Sequence, residues 1–286
     1  FSSKLAYRLS LVDKPNKRKI HSNATAYTGG ITISFILLIT IKLFHHPNES
    51  LNLIILISFL ISCIGLIDDK FNLSVISKLS LQVIPIFYLI IISNLTLEDI
   101  GYYQYFHTEI GVFAVPFTLI CVLFLINSFN YFDGLDGTLS FSSISVIIIL
   151  YFLIPDQNFR IFLKIISIPI IVFLFFNFSL FKLPKLFLGD SGSLFLGFLI
   201  SFILIYIAKN NFTHPILLAW SISIFVFEFL SINLVRLKNN VNLFLPGQDH
   251  LHHLLLKKTK SLFKTNLSIF FLNIILFLFG YIAFLI

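Results

Sequence analysis

The sequence predicts an all-α polytopic membrane protein, and three observations carry that prediction. The 286 residues are 57% apolar and 12% charged, against roughly 45–50% and about 25% in an ordinary soluble domain. The apolar residues gather into about nine runs of near-spanning length. The basic residues are sorted by loop, as membrane topology requires.

The runs are roughly 28–44, 51–67, 75–93, 112–129, 139–155, 160–178, 192–208, 213–235 and 265–286. No long linker or low-complexity tract divides them, so residues 1–286 read as one membrane-embedded domain. If 1–27 lie on one side, alternation puts 68–74, 130–138, 179–191 and 236–264 beside them. Sixteen of the twenty Lys and Arg residues fall in or near these five regions, leaving Lys42, Arg160, Lys164 and Lys209 for the other side. Positively charged loops stay in the cytoplasm, so the five regions are read as cytoplasmic. The net charge of +7 is then mostly a topology signal and points away from nucleic acid. On the opposite side, residues 94–111 alternate aromatic and polar groups and read as a small interfacial hairpin. Cys63 and Cys121 sit inside apolar runs and read as packing residues. The chain has no methionine, so its natural start is expected to be missing, and Phe1–Leu11 reads as the cytoplasmic end of a segment whose membrane part is lacking.

Every notable polar motif falls on the cytoplasmic side. The central one is Asn127–Ser140, NSFNYFDGLDGTLS, where Asp133 and Asp136 follow a bilayer-length run. Ionisable groups at a membrane helix centre cost at least ~2.5 kcal/mol each, so the motif reads as a polar floor for a charged ligand. In Asp13–Gly30, Arg18, Lys19 and His21 precede a Gly pair that opens a helix, which suits a phosphate. The plainer reading is a positive-inside anchor. Asp68-Asp69 end a helix whose dipole they oppose. They are poor caps, and a bound cation or a proton-transfer role explains them better than a solvated turn, with Lys78 within reach. In LPKLFLGDSGS, Asp190 stands between Gly189 and Gly192 at a helix start. Such a start can cradle an anion, and the carboxylate can hold Mg²⁺. An N-cap would explain the Asp but not both glycines. In GQDHLHHL, Asp249, His252 and His253 would share one helical face. Zinc is the lesser reading because HExxH order is absent, and histidines lining a phosphate or sugar site are preferred.

Together and in this order, the five motifs resemble those of the polyprenyl-phosphate N-acetylhexosamine-1-phosphate transferases, also called glycosyltransferase family 4. The matching residues span nearly the whole chain, and HLHH at 250–253 is more similar to the branch that starts O-antigen, common-antigen or teichoic-acid linkage lipids than to the muramoyl-pentapeptide branch. The resemblance implies that Asp190 is the Mg²⁺ ligand, with Mn²⁺ as a substitute, and that Asp68 and Asp69 are the catalytic acidic pair. It implies that Lys78 holds phosphates, that Asn130, Asp133, Gly134, Leu135 and Asp136 line the nucleotide end, and that Phe187 stacks on uracil. It further implies that Arg18, Lys19 and His21 bind substrate and that His250, His252 and His253 lie near the sugar phosphate. Two departures are visible: Ala26 stands where the family usually has proline, and PGQD precedes His250 where a basic residue is usual.

The activity so implied is transfer of an N-acetylhexosamine-1-phosphate, GlcNAc-1-phosphate by default, from a UDP-N-acetyl sugar to undecaprenyl phosphate, releasing UMP. The implied setting is the bacterial cytoplasmic (inner) membrane with its lipid, with ten or eleven helices in the full-length protein and a homodimer as a family-level expectation. A cation-coupled transporter is the alternative. It predicts acids at mid-bilayer or on both faces, whereas only Glu228 lies well inside a run.

Overall fold

The computed structural model describes residues 3–13, 24–44, 48–103, 105–240, 247 and 249–286. Arg18, Lys19 and His21 lie outside the described residues. All nine apolar runs are helical. After α1 (Ser3–Arg8) come α2 (Gly29–Phe44), α3 (Glu49–Phe71), α4 (Val75–Ser93), α5 (Ala114–Phe132), α6 (Thr138–Leu153), α7 (Gln157–Asn177) and α8 (Gly189–Lys209). α9 (Pro215–Ser221), α10 (Ser223–Lys238), α11 (Leu251–Thr259) and α12 (Leu262–Leu285) complete the chain. Among the described residues six helices are long and apolar enough to cross a membrane, and α9 with α10, bent by 66°, makes up to a seventh. α2 and α6 are apolar but shorter than a crossing, so among the described residues six or seven helical segments reach crossing length where nine crossings were expected.

Polar side chains set the helix ends. Asn48, Ser74, Asp156 and Ser261 each accept an N–H from the first turn of the helix they precede, satisfying donors that have no partner within the helix. α3 stops at Asn72, which turns left-handed (φ 51°) and donates its N–H to Asp68 O. At the α9–α10 bend, Ser221 O accepts from Asn273 Nδ2 at 3.1 Å. A carbonyl freed from its helix ladder thus finds a partner inside the protein, as broken helices at membrane depth require.

α8 is the hub. Of its apolar window 94% is buried, against 22% for α4 and for α12. A helix apolar on all sides belongs at a centre; α2, α3 and α5 pack around α8, and α12 lies across α6 and α9. Phe195, Phe198 and Phe202 of α8 are fully enclosed, while α4 and α12 turn Ile76, Ile84, Phe271 and Ile275 outward as lipid-facing surface. Because lipid is as apolar as leucine, helix association here depends on close packing and on buried hydrogen bonds. Thr138 Oγ1 donates to Asn266 Oδ1 at 2.8 Å, and Asn273 Nδ2 donates to Ser145 Oγ at 2.9 Å. These two bonds tie α12 to α6.

Two short hairpins flank the bundle. β1 (Val12–Asp13) pairs antiparallel with β2 (Thr25–Ala26) near the motif end. β3 (Asp99–Tyr103) pairs antiparallel with β4 (Phe106–Glu109), with an irregularity between Asp99 and Gly101. The hairpin read from residues 94–111 is therefore present. Lys209 Nζ pairs with Glu98 Oε1 at 2.5 Å and His214 Nε2 meets Tyr102 O at 3.1 Å, so this hairpin lies at the C-terminal end of α8, opposite the motif residues.

The glycine pair that opens α2 has a structural use. A Cβ on Gly30 would run into the backbone of Gly192 in α8. The amides of Gly29 and Gly30 donate to Phe187 O (3.0 Å) and Leu188 O (2.9 Å), so these two N–H groups are committed to backbone. The two glycine amides therefore take no part in the phosphate reading of Asp13–Gly30, whose basic residues Arg18, Lys19 and His21 lie outside the described residues. We predict that Gly30→Val lowers the thermal midpoint in detergent by an overpacking cost of about 1–3 kcal/mol, while Leu278→Val on the lipid-facing side of α12 leaves it nearly unchanged. Equal midpoints for wild type and Gly30→Val would contradict this account.

Candidate active site

Helix ends converge on one cluster of charges. α3 delivers Asp68 and Asp69 at its C-terminus, α4 delivers Lys78 from its first turn, α5 delivers Asn130 from its last, and α8 delivers Asp190 at its start. Lys78 Nζ lies 2.7 Å from Asp68 Oδ2 and 2.7 Å from Asp190 Oδ2. Asn130 Nδ2 donates to Asp190 Oδ1 and to Ser193 Oγ, both at 2.9 Å. The carboxyl groups of Asp68 and Asp190 are also within hydrogen-bonding reach of each other. The reading of Lys78 as a partner of the acidic pair therefore stands. Asn127, by contrast, donates to Leu123 O of its own helix at 2.7 Å.

The two acids of the pair differ. Asp69 accepts the Asp190 N–H through Oδ1 (3.0 Å) and the Ser191 N–H through Oδ2 (3.2 Å). It caps α8 from another helix, where a negative group is favourable. Asp68 accepts the Leu73 N–H at 2.8 Å through Oδ1 and turns Oδ2 to Lys78. Neither acid is a poor cap in context, which corrects the expectation drawn from the dipole of α3 alone. The anion-cradling start of α8 is also real, but its first amides hold the Asp69 carboxylate.

The loop between α5 and α6 forms the next wall. Asp136 Oδ2 pairs with Lys185 Nζ at 2.6 Å, and Lys185 Nζ also sits 5.2 Å above the Phe187 ring. Asn266 Nδ2 of α12 donates to Asp136 O at 2.7 Å, fixing the turn. Phe187 is half-buried; its N–H donates to Ala26 O at 2.8 Å, so the residue in the usual proline position straps the segment in front of α8. Leu135 is buried and Gly134 is exposed. Desolvation, then the charges of Asp190 and Asp136, push Asp133 up to about 8.

The histidine segment closes against this loop. A Cβ on Gly134 would overlap the His252 ring, so the glycine is required for contact. His252 is fully buried, and burial together with His253 and His250 pushes it down to about 2. It is a neutral imidazole at physiological pH. His250 and His252 stack at 5.2 Å, and His252 and His253 lie 4.4 Å apart by ring centres. α11 begins at Leu251, and Asp249 precedes it and pairs with Arg236 at 3.0 Å. The expected shared face of Asp249, His252 and His253 is thereby corrected, since Asp249 is not on the helix. Sequence reasoning missed Lys185, Ser193 and Asn266, whose partners are distant in the chain. Glu228, the acid inside a run, lies 3.4 Å from His250 Nδ1 of the histidine segment.

Asp68 and Asp190 flank the Lys78 ammonium, and Asp69 lies against the Asp190 N–H. Carboxyl oxygens are the donors a hard divalent cation such as Mg²⁺ takes, and Asp190 with Asp68 are the residues that would hold one here. The raised Asp133 makes a separate prediction in EDTA. An ordinary Asp titrates near 3.9, so between about 4 and 8 the folded chain holds the Asp133 proton more tightly than the unfolded chain does, and stability falls as pH rises through that window. Asp133→Asn should therefore gain thermal stability over wild type as pH goes from 5 to 8. A difference that is constant over that range would contradict the assignment.

The model of the family described as "Glycosyl transferase family 4" matches residues 51–208, which run from α3 to the end of α8. The protein is similar to "Undecaprenyl-phosphate alpha-N-acetylglucosaminyl 1-phosphate transferase" of Escherichia coli O157:H7, 29% identical over 90% of this chain and 72% of the relative. The protein of that name from Yersinia pestis is 29% identical over 89% of this chain and 72% of the relative. A Bacillus subtilis (strain 168) protein named "Probable undecaprenyl-phosphate N-acetylglucosaminyl 1-phosphate transferase" is 28% identical over 88% and 72%. With the family model spanning more than half of its length, from Asp68 through Asp190, this chain belongs to glycosyl transferase family 4.

Proposed function

We propose that this protein transfers an N-acetylhexosamine-1-phosphate, GlcNAc-1-phosphate by default, from a UDP-sugar to undecaprenyl phosphate and releases UMP. The observation that carries the reading is Lys78 between Asp68 and Asp190, with Asn130 on the second Asp190 oxygen. It places acid, base and amide at the ends of membrane helices, where a lipid phosphate and a soluble nucleotide can meet. The names of the relatives supply the substrate class. The loop charges favour a site facing the cytoplasm of a bacterial inner membrane.

The chemistry is a phosphoryl transfer. An oxygen of the lipid phosphate attacks the sugar-linked phosphorus, a new P–O–P bond forms, and the bond to the UMP phosphate breaks. Such transfers depend on positioning and on offsetting charge between polyanions. Asp68 is the better base of the pair, because Asp69 is held by two amides of α8 while Asp68, with Oδ1 on the Leu73 N–H, keeps Oδ2 beside the mobile ammonium of Lys78. It would take the proton remaining on the lipid phosphate. Lys78 would then steady the phosphate oxygens, and Asn130 holds Asp190 in place. Mg²⁺, held by Asp190 with Asp68 beside it, would neutralise the diphosphate and stabilise the leaving UMP. Phe187 offers a half-buried ring to the base, with Lys185 and Asp136 at its side.

Purified protein in detergent, given Mg²⁺, undecaprenyl phosphate and a panel of UDP-N-acetyl sugars, should release UMP only when both lipid and metal are present. Asp190→Asn and Asp68→Asn should each lower that rate by about 100-fold or more with the fold intact. Asp69→Asn should also lose about 1–3 kcal/mol of stability, because an amide group would face the α8 amides. Near-normal turnover in Asp68→Asn and Asp190→Asn would overturn the proposal.

A further inference from the structure

α10 carries two charged residues that reach the same short segment. Glu228 and Arg236 are eight apart, on one side of the helix. Glu228 Oε1 accepts the Leu251 N–H at 2.7 Å and lies 3.4 Å from His250 Nδ1. Arg236 donates twice to Asp249, from Nε at 3.2 Å and from Nη2 at 3.0 Å. The segment between these anchors, 249–251, leads into His252 and His253.

The geometry resembles the cap on α8. Leu251 is the first residue of α11, and its N–H is one of the donors a helix leaves open. His250, at the N-cap position, makes no side-chain cap bond. The acceptor comes instead from α10. Glu228 is 8% exposed and is the one acid of α10, and a carboxylate is buried at a cost unless it is hydrogen-bonded. His252 is seated by this arrangement against Gly134, where no Cβ fits.

We infer that Glu228 is a positioning residue, which caps α11 from α10 and holds the histidine segment against the Gly134 loop. Its effect on turnover rests on the proposed transfer reaction, while its effect on the segment does not. One competing use is visible: Glu228, His250 and His252 offer ligand atoms within 4.8 Å of one another. The cap account says that what matters is an oxygen acceptor for the Leu251 N–H, which glutamine can also supply.

The test uses the full chain in detergent, with Glu228→Gln and Glu228→Leu. Amide hydrogen exchange over residues 250–256 should quicken about tenfold or more in Glu228→Leu, as expected for losing a hydrogen bond to a charged group, and stay close to wild type in Glu228→Gln. Exchange within α8 should be unchanged in both. UMP release by Glu228→Leu should fall about tenfold or more with KM for the UDP-sugar held within about threefold, and Glu228→Gln should recover most of that loss. Wild-type exchange in Glu228→Leu would overturn the inference. So would fast exchange in Glu228→Gln, or stoichiometric zinc in the purified protein, since either makes charge or metal ligation the role. If wild type releases no UMP, the transfer reading falls, and the exchange data still decide the role of Glu228.

Discussion

The rest of the site depends on one interaction, the Asp69 carboxylate across the first amides of α8. It joins the C-terminus of one membrane helix to the N-terminus of another. A helix start presents unpaired N–H groups and a partial positive charge, and a carboxylate answers both. With Asp69 fixed there, its neighbour Asp68, about 100° round the helix, is turned toward Lys78. Asp190, the second residue of α8, is brought to the same ammonium. The catalytic candidates are thus placed by a structural bond rather than by loops, and they sit on rigid elements whose core is the most enclosed helix of the protein.

Charge balance then explains why the site suits polyanionic chemistry. Carboxylates gathered at a membrane surface repel one another, and Lys78 and Lys185 each answer one side of the cluster. The divalent cation proposed above would sit on these oxygens and offset the charge of phosphates. The amides that a phosphate might otherwise use at α2 and α8 are occupied by backbone and by Asp69. Both trans caps, Asp69 on α8 and Glu228 on α11, leave the ends of helices from distant parts of the chain locked together at one face.

Much of this was legible in the sequence. The nine runs became helices because bilayer-length apolar stretches have few other structures open to them. The acid pair, Lys78, Asn130 and Asp190 meet because alternation sends their helix ends to one side, which counting spans already implied. The glycines were harder. Gly30 and Gly192 looked like ligand-binding glycines, yet each makes room for the other helix, and a single chain read in order does not reveal which backbone will press against it. Lys185 and Asn266 were missed for a related reason, and Glu228 was read only as an acid inside a run. Asn266 meets Asp136 across 130 residues and Glu228 meets Leu251 across 23, and no local pattern announces either contact. Asp249 was misplaced because helical spacing was assumed to begin two residues too early.

The central claim is that the carboxylates around Lys78 form a divalent-cation site built on Asp190. Electron paramagnetic resonance titration of Mn²⁺ into the purified protein with UMP present addresses this without requiring turnover. The account predicts one Mn²⁺ bound per chain, displaced by excess Mg²⁺ and lost in Asp190→Asn. Undiminished Mn²⁺ binding by Asp190→Asn, or none by folded wild type, would contradict it.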